Sequence, residues 1–107
     1  MNRGDVWQLD LGGRARRRPA LIITRQGVIA HVSKLTVAEI TSVGKGYPTE
    51  VPLGQKANLA KDSYVQLDNI QTVSKERFVK YLGALDPVTM RVIGRKLILA
   101  LGLEDSI

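Results

Sequence analysis

The sequence contains no cysteine, a single histidine and no long apolar run, and each absence removes a class of function. Without cysteine the chain can form neither disulfides nor thiolate metal sites, and it is compatible with a reducing compartment. One histidine and scattered carboxylates supply no metal-ligand cluster. No stretch approaches the ~20 apolar residues of a membrane span, and the polar start of the chain is unlike a signal peptide. These features predict a cytoplasmic protein with no metal site, no cofactor and no membrane partner.

Positive charge is what the sequence has in excess. Sixteen lysines and arginines against ten acidic residues leave a net charge of +6 on 107 residues. A surplus of this size on a small surface favours a polyanionic partner, nucleic acid first. The length predicts one domain over residues 1–107, and a hydrophobic content of 44% is ordinary for a globular protein.

Much of this charge is concentrated in one predicted loop, where four arginines fall within five positions: Arg14, Arg16, Arg17 and Arg18. Neighbouring cations repel one another, so the cluster favours an anionic ligand. Arg18 differs from the others because it precedes Pro19, which holds it in an extended conformation. A guanidinium fixed at the rim of a sheet suits a phosphate on which charge develops. From the residues alone, a solvated basic turn explains the cluster equally well.

The rest of the chain is typical of many short strands followed by one helix. Apolar periodicity predicts half-buried or buried strands, and Pro52 places one of them at a sheet edge. Segment 28–33 is predicted to be either another short strand or an irregular crossing connection. These features predict a mainly β protein with a C-terminal helix, built as a small curled or barrel-like sheet. The predicted strands are 5–11, with Trp7, Leu9 and Leu11 on the buried face, then 20–24, 35–41, 49–53, 63–67 leading into 70–73, and 78–82.

The predicted helix runs from Pro87 to Leu101. Asp86 is a suitable N-cap before a proline at the first helical position, and Gly102 supplies the stop. Gly94 inside the helix predicts close packing against a sheet or a partner. The expected buried stripe is Met90, Ile93, Leu97 and Leu101.

Several short phrases, each weak alone, occur in one order along nearly the whole chain. They are Gly4-Asp5-Val6-Trp7, Arg18-Pro19-Ala20-Leu21-Ile22, Ile40-Thr41-Ser42, Tyr47-Pro48-Thr49-Glu50-Val51, Asp62-Ser63-Tyr64-Val65 and Asp68-Asn69-Ile70-Gln71-Thr72-Val73, with Leu82-Gly83 and Leu101-Gly102-Leu103 at the close. In this order the sequence resembles the MazF/PemK toxins of bacterial toxin–antitoxin systems, which are sequence-selective, metal-independent endoribonucleases.

The resemblance implies a fold, partners and a reaction. The implied fold is an SH3-like small barrel of the MazF/CcdB type, assembled as a homodimer with an RNA groove across the interface. The implied reaction is attack of a ribose 2′-hydroxyl on the adjacent phosphate of single-stranded RNA, which inhibits translation and growth. The implied second partner is an antitoxin with an acidic, partly disordered segment that covers the basic groove.

The resemblance also assigns residues. Arg18 and Thr41 match the catalytic arginine and threonine of the family. Asn69 and Gln71 depart from its usual pattern, and Gln66 stands where one branch has a catalytic arginine. Whether Asp68 or His31 assists catalysis is left open, with a structural or partly buried role favoured for His31. The expected RNA contacts are Arg14, Arg16, Arg17, Ser42, Lys45, Gln66 and Asp68.

Two other functions fit the same composition. One is a non-catalytic toxin like the gyrase poison CcdB, which acts through a C-terminal tail containing tryptophan, whereas this sequence ends in Leu103-Glu104-Asp105-Ser106-Ile107. The other is a nucleic-acid-binding barrel without chemistry, which leaves the match around Arg18 and Thr41 as coincidence. The sequence does not define the cleavage motif, the RNA class or the antitoxin.

Overall fold

The computed structural model describes residues 1–14 and 17–107, so Arg16, a predicted RNA contact, lies outside the described residues. Within those ranges, antiparallel pairing joins all strands into one sheet with the order β4-β5-β3-β2-β1-β6. A helix, α1 (Pro87–Ala100), follows the last strand. The strands are β1 (Asp5–Asp10), β2 (Arg17–Ile22), β3 (Lys34–Thr41), β4 (Glu50–Gly54), β5 (Ser63–Ser74) and β6 (Phe78–Ala84).

The strands lie close to the positions that the sequence predicts. β4 lies at an edge of the sheet, as Pro52 predicts. Segments 63–67 and 70–73 form the single strand β5, with a register shift opposite Ala38 and Glu39 that bends it. Segment 28–33 is a crossing between β2 and β3 that includes most of a 3-10 turn, Gln26–His31. β2 and β3 pair directly with each other, so this segment takes no place in the sheet.

Both faces of the sheet are covered, which corrects the prediction that β1 has one buried face. Val6 is fully buried in the core beneath α1, together with Leu21 and Ile93. Leu9 is buried in a second core on the other side, and Trp7 is only half-buried against that core. Trp7 and Leu9 share one face of β1 as predicted, and the prediction missed only the burial of Val6 on the other face.

The helix begins as predicted and ends one residue early. The Asp86 carboxylate accepts a hydrogen bond from the Thr89 backbone N–H at 2.8 Å, and this bond is the main reason that the pKa of Asp86 falls to about 2. Gly102 adopts a φ of +65°, which stops the helix. Leu101 was predicted to be buried but is 51% exposed, because the chain turns away after Ala100.

The remaining helix predictions have mixed outcomes. Ile93 is fully buried, and Met90 and Leu97 pack against the same core. Among the described residues, no heavy atom outside the neighbouring helix backbone and the two adjacent residues lies within 4 Å of a Cβ placed on Gly94, so the predicted close packing is not found in that part of the chain. Contact of Gly94 with a partner stays a prediction. No helix in residues 1–14 and 17–107 has the length and apolar character needed to cross a membrane.

A short turn, Lys56–Asn58, brings the two edges of the sheet together. It follows the edge strand β4 and packs on the opposite edge strand β6, where the Asn58 Nδ2 donates a hydrogen bond to the Leu82 carbonyl at 2.7 Å. A Cβ on Gly83 would lie 2.7 Å from the Ala57 Cα, so only glycine permits this approach. Ala57 and Asn58 both adopt left-handed φ values, 54° and 59°, a costly backbone state that this contact holds in place. The sheet is therefore barrel-like.

Candidate functional site

A pocket of about 460 Å³ opens where the start of β2 and the end of β3 face the 58–63 connection and β6. Its wall is formed by strands that are far apart in sequence and become neighbours only when the sheet curls. Most of its lining side chains are polar or positively charged, so the pocket is suited to an anionic ligand. The polar lining residues are Gln8, Arg17, Arg18, Thr41, Ser42, Asn58, Lys61, Ser63 and Lys80.

Arg18 lines this pocket from a strand, as its position before Pro19 predicts. It pairs with Leu9 across β1, which fixes its backbone. Its Nη1 lies 3.9 Å from the Glu39 Oε1, too far for a hydrogen bond, and the two side chains are 46% and 33% exposed. A partly exposed ion pair at this distance contributes little free energy, at most about 1 kcal/mol. The guanidinium is therefore available to an anion in the pocket.

Thr41 lines the same pocket at the end of β3. Its Oγ1 accepts a hydrogen bond from the Val43 backbone N–H at 3.1 Å, a contact that a strand-end threonine often makes with its own turn. This contact uses the oxygen only as an acceptor, so the hydroxyl proton can be donated to a ligand. Ser42, the next residue, also lines the pocket.

Two lysines that the sequence analysis did not select complete the positive wall. Lys61 lies in the connection before β5, and Lys80 lies on β6 directly opposite Gln8 of β1. With Arg17 and Arg18 they make four cationic residues among the described lining, which includes no carboxylate. Only the strand pairing could have identified Lys80. Residues 18 and 80 reach one pocket because β2 pairs with β1 and β1 pairs with β6.

The other predicted contacts lie away from this pocket. Asp68 accepts a 2.5 Å hydrogen bond from the Thr49 hydroxyl in a second, shallower pocket near Tyr47 and Leu99. Arg14 is exposed and lines neither pocket. The arginine loop thus contributes Arg17 and Arg18 to the first pocket, while its other described arginine stays outside.

Lys45 and Gln66 meet at a third place, the carboxylate of Glu50. The Lys45 and Gly46 backbone N–H groups donate to it at 2.9 and 3.2 Å, and the buried Gln66 Nε2 donates at 2.5 Å. The Lys45 backbone bond is the main reason that the pKa of Glu50 is lowered. Glu50, Gln66 and Glu39 are cross-strand neighbours, and Glu39 faces Arg18. Gln66 therefore lies in a polar row that connects the 44–46 loop with Arg18.

His31 and Trp7 lie outside the pocket. His31 is exposed, so the partly buried position favoured for it was wrong; it ends a 3-10 turn and lines neither pocket. Trp7 packs edge-on against Phe78 and Tyr81, with ring centroids 6.1 and 5.7 Å away, which agrees with the predicted core role. Within the described ranges, no three His, Cys, Asp or Glu residues are grouped closely enough to hold a metal ion.

The structure thus combines a small barrel-like sheet, one terminal helix and an open pocket whose charge suits an anionic ligand. Comparison with known proteins names its family. The family described as PemK-like, MazF-like toxins of type II toxin–antitoxin systems matches residues 2–101. This chain belongs to that family, and the predicted mainly β fold with a C-terminal helix is confirmed.

The relatives match over almost their full length. Endoribonuclease MazF1 of Mycobacterium bovis and endoribonuclease MazF4 of Mycobacterium tuberculosis are each 36% identical over 101 residues, which covers 94% of this chain and 92% of each relative. A solved structure described as an endoribonuclease in complex with its cognate antitoxin, from a mycobacterial species, superimposes with a TM-score of 0.86. It shares 33% sequence identity and covers 96% of both chains.

Proposed function

We propose that this toxin is a sequence-selective endoribonuclease that cuts single-stranded RNA without a metal ion. The observation that carries the proposal is the meeting of Arg18 and Thr41, the two residues matched to catalytic positions, in one cationic pocket. The names of the relatives, which are endoribonucleases, support the reaction class. A single-stranded substrate is expected because unstacked bases can be read in an open groove.

The reaction needs no nucleophile from the protein. The ribose 2′-oxygen attacks the adjacent phosphorus, the bond from phosphorus to the 5′-oxygen breaks, and the proton lost from the 2′-hydroxyl is balanced by one gained at the leaving oxygen. The products are a 2′,3′-cyclic phosphate and a 5′-hydroxyl end. The protein has to orient the groups and stabilise charge on the phosphate oxygens.

Arg18 and Thr41 suit these two tasks. The guanidinium presents several donors in a rigid fork, which matches the non-bridging phosphate oxygens as charge develops on them. The Thr41 hydroxyl, whose oxygen accepts from the Val43 N–H, donates a hydrogen bond to a phosphate oxygen or to the leaving oxygen. Both side chains are positioned by paired strands, so little reorganisation is needed when RNA binds.

The remaining predicted contacts have different roles in the proposed function. Arg17 and Ser42 bind RNA in the pocket, and Arg14 binds it outside the pocket. Arg16, which lies outside the described residues, stays a predicted RNA contact. Lys45 and Asp68 contact RNA further along the surface. Gln66 is 6% exposed and bonded to Glu50, a geometry that favours a positioning role over the predicted direct contact.

The partners follow from the same family. We expect a cytoplasmic homodimer bound by an antitoxin whose acidic segment covers the cationic pocket. The complex of a mycobacterial relative with its cognate antitoxin supports the antitoxin. Exposed apolar side chains near the end of α1 support self-association: Leu99, Leu101 and Leu103 are 43%, 51% and 38% exposed.

The test is to incubate the purified protein with a long RNA in excess EDTA and to map the new ends. We expect cuts at one short recurring sequence, each leaving a 5′-hydroxyl, because the proposed reaction uses the substrate's own hydroxyl. Tight RNA binding with no cuts would instead identify a binding barrel. Cuts that disappear in EDTA would contradict the metal-free mechanism.

A further inference from the structure

Lys61 and Lys80 line the same pocket as Arg18, and the proposed reaction assigns them no role. Both are exposed. Within the described part of the chain, neither ammonium group has a carboxylate oxygen within 4.0 Å, whereas Lys56 pairs with Asp86 and Arg18 faces Glu39. Two lysines that share an open pocket with two arginines raise its positive potential and repel the arginines. An anionic ligand relieves this repulsion.

The backbone around these lysines is fixed. Lys80 sits in the β6 ladder opposite Gln8, another lining residue. Lys61 follows the strained Ala57–Asn58 turn, and its carbonyl accepts a hydrogen bond from the Ser63 hydroxyl at 2.7 Å. The turn is held against β6 by the Asn58–Leu82 hydrogen bond and by the close approach at Gly83. The strained turn therefore sets the distance between residues 58–61 and strand β6.

We infer that Lys61 and Lys80 form a phosphate-binding subsite for the RNA backbone beside the linkage that is cut. The inference rests on the proposed function for its ligand. Lysine is a compact point charge without arginine's planar fork, so these residues hold backbone phosphates and do not read bases. Arg18 and Thr41 act on the reacting phosphate, and the lysines hold its neighbours.

This division of roles has a kinetic consequence. A phosphate next to the cut carries the same charge before and during the reaction, so the lysines bind ground state and transition state equally. Their loss raises KM and leaves kcat almost unchanged, whereas loss of Arg18 lowers kcat. The loss is also uniform over RNA sequences, because phosphates are common to all of them.

The subsite is tested by the salt dependence of binding, which does not require cleavage. The probe is a 2′-O-methyl RNA oligonucleotide, which the protein cannot cut by the proposed route. The affinity of the intact protein is compared with those of Lys61→Ala, Lys80→Ala and the double variant. We expect the slope of log K against log salt concentration to shrink by about 0.7 for each lysine removed. The matched control is Lys34→Ala, an exposed lysine at the start of β3 that lines neither pocket.

Lys61→Arg and Lys80→Arg should restore the slope, because they keep the charge, and circular dichroism verifies that each variant is folded. An unchanged slope in folded Lys61→Ala and Lys80→Ala would overturn the subsite even if the intact protein cuts RNA. Reduced slopes in a protein that cuts no RNA would support the subsite and reject the proposed nuclease. A loss equal to that of Lys34→Ala would show a general charge effect and reject the subsite.

Discussion

Replacing Arg18 with alanine is expected to lower kcat for RNA cleavage by about 10²–10³-fold, the usual effect of removing one fixed donor from developing negative charge. The guanidinium is held by the β1–β2 pairing and is bound only weakly by Glu39, so its donors are directed to the ligand. The variant should stay folded, because Arg18 is exposed and belongs to neither apolar core. Single-turnover cleavage of an RNA that contains one mapped site measures the effect.

Two further variants show whether the loss of cleavage is specific to the Arg18 guanidinium. Arg25→Ala removes an exposed arginine that lines neither pocket and should cleave at the rate of the intact protein. Arg18→Lys keeps the charge but loses the planar fork, so we expect only partial recovery. Cleavage by folded Arg18→Ala at the full rate would remove Arg18 from the chemistry and leave it as one more phosphate contact.

Replacing Thr41 with alanine is expected to lower kcat on the order of 10²-fold, because the hydroxyl is a donor already oriented by the Val43 N–H. Thr41→Ser keeps this hydroxyl and should recover most of the activity. Thr41→Val keeps the shape of the side chain and lacks the hydroxyl, so it should behave like alanine. The same single-turnover assay, performed beside circular dichroism, separates loss of chemistry from loss of fold.

The valine and serine variants decide the role of Thr41. If Thr41→Val cleaves as fast as Thr41→Ser, the hydroxyl takes no part in the reaction, either as a donor or through its hydrogen bond with the Val43 N–H. If all three variants are equally slow, the hydroxyl that Thr41→Ser retains is not enough to restore activity. Either result would contradict the donor role.

The residues that the sequence placed correctly carry local signals. Asp86 followed by Pro87 predicted the start of α1, and Pro52 predicted the edge strand β4. Arg18 and Thr41 were selected from short matching phrases, and the structure brings them to one pocket. A cap, a proline restriction and a motif depend on neighbours in the chain, so one sequence is enough to find them.

The residues that the sequence missed depend on closure of the sheet. Lys80 reaches the pocket through the pairing of β6 with β1, and Lys61 follows a strained turn at Ala57 that packs on Gly83. No periodicity in the sequence predicts either contact. The burial of Val6 in the core beneath α1 was missed, because the alternation of Trp7, Leu9 and Leu11 with polar residues predicted only one buried face. Gln66 was expected to contact RNA, but it is buried where Glu50 pairs with β5.

The proposed reaction is one in which the RNA supplies its own nucleophile to a pocket built around Arg18. It is tested most directly with one RNA of mapped cleavage site in which the single 2′-hydroxyl next to the cut phosphate is replaced by hydrogen. We predict that the protein binds this RNA with unchanged affinity and does not cut it at that position, because the attacking oxygen is missing. Cleavage of the substituted RNA at the same place, with the same ends, would contradict the proposed reaction.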